Sequence, residues 1–251
     1  MSNEVSFERA GAAAIVRINR PERRNAVDGA TADALFAAFD RFVADDSARV
    51  MVLTGDEKAF CAGADLKAIE TLENRASGPL GFTRLFSPKP TIAAVSGYAV
   101  AGGLELALWC DLRVCDETAT FGCFERRWGV PLVDGGTQRL PRIVGMGRAL
   151  EMILLGRAVR GDEALHWGLV NAVVPAGKAL ERALAWAETL AAYPQETMLA
   201  DREGALKGAG LSLEKGLALE ERLGIKTIAV GRSGAARFAG GEGRGGSGLP
   251  D

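Results

Sequence analysis

The segment Ala99-Val-Ala-Gly-Gly-Leu-Glu-Leu-Ala-Leu-Trp-Cys-Asp111 decides how the rest of this chain is read. It is almost wholly apolar, yet two adjacent glycines, Gly102 and Gly103, interrupt it and one carboxylate, Glu105, follows them. A buried strand that ends in glycines and runs straight into a helix makes a particular local geometry. The first N–H groups of a helix lack internal partners, the helix dipole adds partial positive charge there, and glycine admits a ligand atom close to the backbone. Such a turn can stabilise a partly negative oxygen. Glu105, three residues after Gly102, shares its helix face. The alternative is that the glycines only permit tight packing and Glu105 pairs with an arginine.

Outward from this segment the chain alternates. VSFERAGAAAIVRINRP reads as a hairpin around Ala10–Gly11. DGATADALFAAFDRFVADD has apolar residues at helical spacing with Asp28 as N-cap. VMVLTG and TIAAVSGYAVAGG read as two buried strands, LRVCDETATFG as further strand and GLVNAVVP as a last short one. GMGRALEMILLG, GDEALHWG, GKALERALAWAETLAAY and SLEKGLALEERLGIKTIAV read as helices. Strands with intervening helices and then a purely helical end predict an α/β domain with a C-terminal helical appendage. The glycine-rich GGEGRGGSGLPD cannot bury enough surface to offset its ordering entropy and is expected to be loose.

Two further segments carry candidate chemistry. In VMVLTGDEKAFCAGADLKAI the turn CAGAD is expected to open a helix near Asp65 and to leave the Ala64 N–H unpaired; an ordinary capped turn is the alternative. In FGCFERRWGVPLVDGGTQRLP, Glu125 lies among apolar residues, where burial and a second carboxylate would push proton affinities apart. Asp134 there is either a helix N-cap or a catalytic group.

Composition bounds the possibilities. The 251 residues are 48% hydrophobic and 25% charged, with net charge −2, which offers no electrostatic case for nucleic acid or an acidic membrane. No basic-then-apolar leader and no long uncharged apolar run occur, so neither secretion nor membrane insertion is expected. Cys61, Cys110, Cys115 and Cys123 form no Cys-x-x-Cys pair, which suits a reduced, cytoplasmic protein. The single histidine, His166, excludes a conventional zinc ligand set, and neither a G-x-S-x-G elbow nor a phosphate loop is present.

Taken together and in order, INRPERRNAV, CAGADL, VSGYAVAGGLELALWCD, FG…E…WGVP…GGTQRLPRIVG and GLVNAVVP resemble the crotonase family of enoyl-CoA hydratases and isomerases. The resemblance spans about residues 5–195. It implies an α/β, crotonase-like spiral of ββα units over 1–195, a C-terminal α-helical trimerisation region over 196–239, and the tail over 240–251. It implies homotrimers or homohexamers, an acyl-CoA thioester as substrate and no separate cofactor, coenzyme A being part of the substrate. By position, the N–H groups of Ala64 and Gly102 form the oxyanion hole. Glu105 and Glu125 flank a water, one activating it for attack at the β-carbon and the other protonating the α-carbon. Arg23, Arg24, Ala26, Ala62, Asp65, Leu66 and Lys67 fall where the family lines its CoA site, and their cations suit phosphates. The sequence departs from the usual hydratase pattern at Phe124, which replaces a proline, at Arg126–Arg127–Trp128, and at Asp134, where a small residue is usual and where dienoyl-CoA isomerases and aryl-CoA dehalogenases carry a catalytic aspartate. The expected activity is addition of water to a 2-enoyl-CoA. The alternatives are an enoyl- or dienoyl-CoA isomerase using Asp134, or a non-catalytic acyl-CoA-binding protein.

Overall fold

A computed structural model describes residues 4–242. The hairpin forms as expected, β1 (Val5–Ala10) pairing antiparallel with β2 (Ala13–Ile18). Helix α1 (Gly29–Ala44) begins where the Asp28 carboxylate accepts the Thr31 N–H at 2.9 Å. Strands β3 (Val50–Thr54), β5 (Thr91–Val95), β7 (Leu112–Asp116) and β10 (Ala172–Val174) continue the first sheet in parallel, giving the order β1-β2-β3-β5-β7-β10. A second sheet takes β4 (Ala59–Cys61), β6 (Tyr98–Val100), β8 (Thr120–Gly122) and β9 (Val159–Arg160).

Two of the apolar runs are shared between the two sheets. TIAAVSGYAVAGG is not one strand but β5 and β6, parted at Ser96–Gly97. Gly97 has φ +59°, and a Cβ there would overlap the Lys58 carbonyl group. The chain turns at the one residue type that tolerates both conditions. LRVCDETATFG divides the same way into β7 and β8. Apolar content marks burial in both strands of such a pair but does not say where the chain leaves one sheet for the other.

Helix α2 (Gly102–Trp109) explains the composition of the opening segment: every residue from Gly103 to Trp109 is buried, Glu105 included. A helix enclosed on all sides has no polar face. Around it, Phe39, Phe82 and Trp109 pack with ring centroids 4.5–5.7 Å apart. The expected helix at Asp65 does not form; after β4 the chain runs through turns to a single 3-10 turn, Ile69–Thr71. The reason is that residues 63–65 are engaged as a strand-like bridge: Val27 N–H donates to the Gly63 carbonyl and Asp65 N–H to the Val27 carbonyl, both at 2.8 Å.

Helix α3 (Gly136–Leu155) consists of two helical stretches that meet at Gly145, which has φ +78°. The expected 145–156 helix is the second of them. Helix α4 (Gly161–His166) and α5 (Ala179–Ala192) follow. The chain divides into two compact units between Glu188 and Thr189. In the second unit, α6 (Gln195–Gly208), α7 (Leu213–Ile225) and α8 (Ile228–Ala239) pack on one another. The sequence SLEKGLALEERLGIKTIAV thus contributes to two helices rather than one, and α6 lies outside the expected helical segments. The proposed tail over 240–251 lies outside the described residues beyond Glu242.

The close contact of α2 with β4 makes a direct test. A Cβ on Gly103 would overlap the Cys61 carbonyl, whereas one on Gly147, in α3, meets nothing within 4 Å. Gly103→Ala is expected to destabilise the protein by about 3 kcal/mol, and Gly147→Ala to leave it unchanged or gain up to about 1 kcal/mol, as read by urea unfolding.

Candidate active site

The C-terminal ends of β4 and β6 open onto a cavity of about 480 Å³. Ala64, Gly102, Glu105, Glu125 and Asp134 all line it. The five catalytic candidates, scattered over seventy residues of sequence, are brought together.

The two candidate amides stand side by side. A Cβ on Gly63 would lie 2.8 Å from the Gly102 nitrogen, and one on Gly102 would lie 3.6 Å from the Ala64 nitrogen. Neither N–H finds a protein acceptor among the described residues. Gly102 is the first residue of α2, so its N–H belongs to the unpaired, partly positive helix end. The Ala64 N–H is free for a different reason than expected. The bridge to Val27 takes the groups on either side of it, and no helix begins there. Ala101 turns the chain between β6 and α2 with φ +53°, a conformation that costs a non-glycine residue about 1–3 kcal/mol.

Glu105 is 2% exposed and its Oε1 is held by two main-chain donors, the N–H groups of Gly136 at 2.7 Å and Asp134 at 2.9 Å. A Cβ on Gly136 would lie 3.0 Å from that oxygen, so the approach depends on glycine. Burial pushes the Glu105 carboxyl up to about 7; the charges of Asp134 and Glu125 add to the rise, and the two amides oppose it. Glu125 enters from a 3-10 turn, Phe124–Trp128. It is 5% exposed, and neither carboxylate oxygen has a hydrogen-bond partner. Burial raises its proton affinity also. Its own main chain and the Arg126 charge oppose that rise, and buried carboxylate oxygens without a partner call for a functional explanation.

Asp134 is not the N-cap of α3. That position belongs to Gly135, and the Asp134 side chain turns the other way, accepting from the Leu80 N–H at 3.1 Å and from the Thr83 hydroxyl. Thr83, Leu80 and Arg139 are site residues that the sequence did not reveal. Thr83 and Leu80 lie in a loop without periodicity, and only the fold brings that loop against residue 134.

The remaining candidates come from two abutting loops. Ala62 N–H donates to the Arg24 carbonyl at 3.1 Å, and the Val27 bridge continues the seam. Ala62 and Leu66 line the cavity, Ala26 is buried, and Arg23, Arg24 and Lys67 are exposed. The Asp65 carboxylate is buried and engaged, 3.4 Å from Arg20 Nη2. Arg20 is the missed residue here. It is 9% exposed, pairs with Asp28 at 2.7 Å and donates to the Ala26 carbonyl at 2.5 Å, joining both loops. His166 is exposed at the end of α4 and does not line the cavity. Among the described residues no cluster could hold a metal ion, and none of the four cysteines is in a disulfide.

The family model described as enoyl-CoA hydratase/isomerase matches residues 8–241. The chain belongs to that family. A short-chain-enoyl-CoA hydratase of Clostridium acetobutylicum is 37% identical over 226 residues, 87% of each chain. An (E)-benzylidenesuccinyl-CoA hydratase of Thauera aromatica is 37% identical over 220 residues, 85% of this chain and 86% of that one. The crystal structure of an enoyl-CoA hydratase from Mycobacterium marinum superposes with a TM-score of 0.89 at 38% identity, covering 95% of this chain and 96% of that one. The α/β crotonase fold expected for this chain is the fold observed.

The raised proton affinity of Glu105 has a measurable consequence for stability. Between about pH 4.5 and 7 the folded protein keeps a proton that the unfolded chain has released. Stability from this group is full below that window and is lost as pH rises through it, by roughly 3 kcal/mol at 1.4 kcal/mol per unit. Denaturant melts across pH 4.5–8 are expected to show the decline, and Glu105→Gln to flatten it.

Proposed function

We propose that this protein is an enoyl-CoA hydratase that adds water across the 2,3 double bond of a 2-enoyl-CoA thioester. One observation carries the reading: two buried glutamates in opposite hydrogen-bonding states line the cavity whose wall carries two unpaired amides. The amides of Ala64 and Gly102 receive the thioester oxygen and stabilise the enolate that forms when the β-carbon is attacked. Glu105, oriented by Asp134 and Gly136 N–H groups, is the base that takes a proton from water. Glu125, whose proton affinity burial raises, delivers a proton to the α-carbon. The two have then exchanged protonation states, and once the product leaves, Glu105 gives its proton to solvent water and Glu125 takes one from it, which resets both.

Leu66, Ile69, Leu72, Leu132 and Val133 make the cavity wall apolar, which suits an acyl chain. The loops carrying Arg23, Arg24, Ala26, Ala62, Asp65, Leu66 and Lys67 are the proposed CoA-binding surface, with Arg23, Arg24 and Lys67 meeting phosphates and Asp65 acting through its main chain. The helical unit leaves Leu213, Leu217, Ile225, Ile228 and Phe238 uncovered by its own helices. We assign them to self-association as a trimer or hexamer. The four free, buried thiols fit a reducing, cytoplasmic setting, and no described helix is long and apolar enough to cross a membrane.

The purified protein is expected to bleach the conjugated-thioester absorbance of a short 2-enoyl-CoA and to give a product heavier by one water. Glu105→Gln and Glu125→Gln should each lower kcat/KM by about a hundredfold or more. Near-normal rates in both variants would overturn the assignment, and a product of unchanged mass would favour isomerisation.

A further inference from the structure

Asp134 is the third carboxylate of the cavity, and water addition as described above does not use it. Its Oδ1 accepts from the Leu80 N–H and the Thr83 hydroxyl. Its carbonyl accepts from Arg139 Nη1 at 2.8 Å, and Nη2 of the same guanidinium donates to the Thr83 carbonyl at 2.5 Å. These bonds close a ring through Asp134, Thr83 and Arg139. Gly78 completes the fit: it has φ +106°, and a Cβ there would overlap the Thr83 hydroxyl and stand 3.1 Å from Asp134 Oδ1. Through its own N–H, Asp134 also holds Glu105 Oε1 at 2.9 Å. One residue thus joins the 78–84 segment, which contributes Pro79, Leu80 and Arg84 to the cavity, to the turn that orients Glu105.

We infer that Asp134 is a positioning residue: its carboxylate clasps the 78–84 segment to the turn whose two N–H groups hold Glu105, so that the base and the acyl-pocket wall are set as one unit. The inference rests on Glu105 acting as the base. The charged and titratable groups facing Glu105 are Asp134 and Glu125, which disfavour its ionised form, Arg139 on α3, which favours it, and the Cys123 thiol. Arg84 and Arg139 both bear on Asp134 itself.

The test compares Asp134→Asn, Asp134→Ala and Thr83→Val for kcat and KM against pH, thermal melting, and 13C NMR titration of the Glu105 carboxyl. Asn keeps an acceptor at Oδ1 and removes the charge. Asp134→Asn is expected to lower kcat by no more than about tenfold and to move both the acid limb and the Glu105 titration to lower pH. Asp134→Ala and Thr83→Val, which break the clasp, are expected to lower kcat tenfold to a hundredfold. A loss of a thousandfold or more in folded Asp134→Asn would make Asp134 a proton-transfer group and overturn the inference. So would unchanged kcat or an unmoved Glu105 titration in Thr83→Val, where the clasp is broken and the Asp134 charge is kept. The NMR titration needs no turnover. A wild-type protein that hydrates no enoyl-CoA would refute the proposed activity, while the Glu105 titration in Thr83→Val still decides the clasp.

Discussion

The structure turns on a buried carboxylate held by two main-chain amides. Glu105 sits one turn into a helix enclosed on every side, and its Oε1 accepts from Asp134 and Gly136. A charge in such a place is costly unless hydrogen bonds compensate it. Here they compensate it in part, and the carboxyl titrates near neutrality instead of near its ordinary value. A group poised there can take and release a proton at low cost in either direction. The rest of the unit can be understood as what is needed to keep that arrangement dry and aligned. The enclosing apolar shell, the close packing of Gly103 on β4, and Gly136 against the carboxylate all serve it.

The second glutamate shows how environment divides two identical side chains into two roles. Glu105 has donors and Glu125 has none. Both are raised by burial, which two main-chain N–H groups from another segment oppose at Glu105 and the Arg126 charge opposes at Glu125. The division of labour proposed above, base and acid, follows from that difference in hydrogen bonding. It does not depend on the two residues' positions in the chain.

Two sheets sharing the runs 91–103 and 112–122 give the fold its economy. The chain leaves the first sheet, crosses at a glycine or a short turn, and adds a strand to the second. The cavity then forms at the C-terminal ends of the second sheet's strands, where β4 and β6 release the chain into the turns at Ala64 and Gly102. Because these strands are parallel neighbours, their ends lie side by side. Two amides distant in sequence therefore reach one substrate oxygen.

The sequence by itself determined the strand-and-helix alternation, the hairpin, the Asp28 cap, the buried character of 99–111, and the candidate carboxylates and amides. Each of these is written locally, in periodicity, glycine placement and the side-chain chemistry of short segments. Only the tertiary structure decided that TIAAVSGYAVAGG serves two sheets, that Ala64 is freed by a bridge to Val27 and not by a helix, and that Asp134 turns from α3 to Thr83. It alone revealed Arg20 and Arg139 as clasps between loops. These facts depend on partners 30 to 60 residues away, and a hydrogen bond between distant segments leaves no periodic trace in either of them.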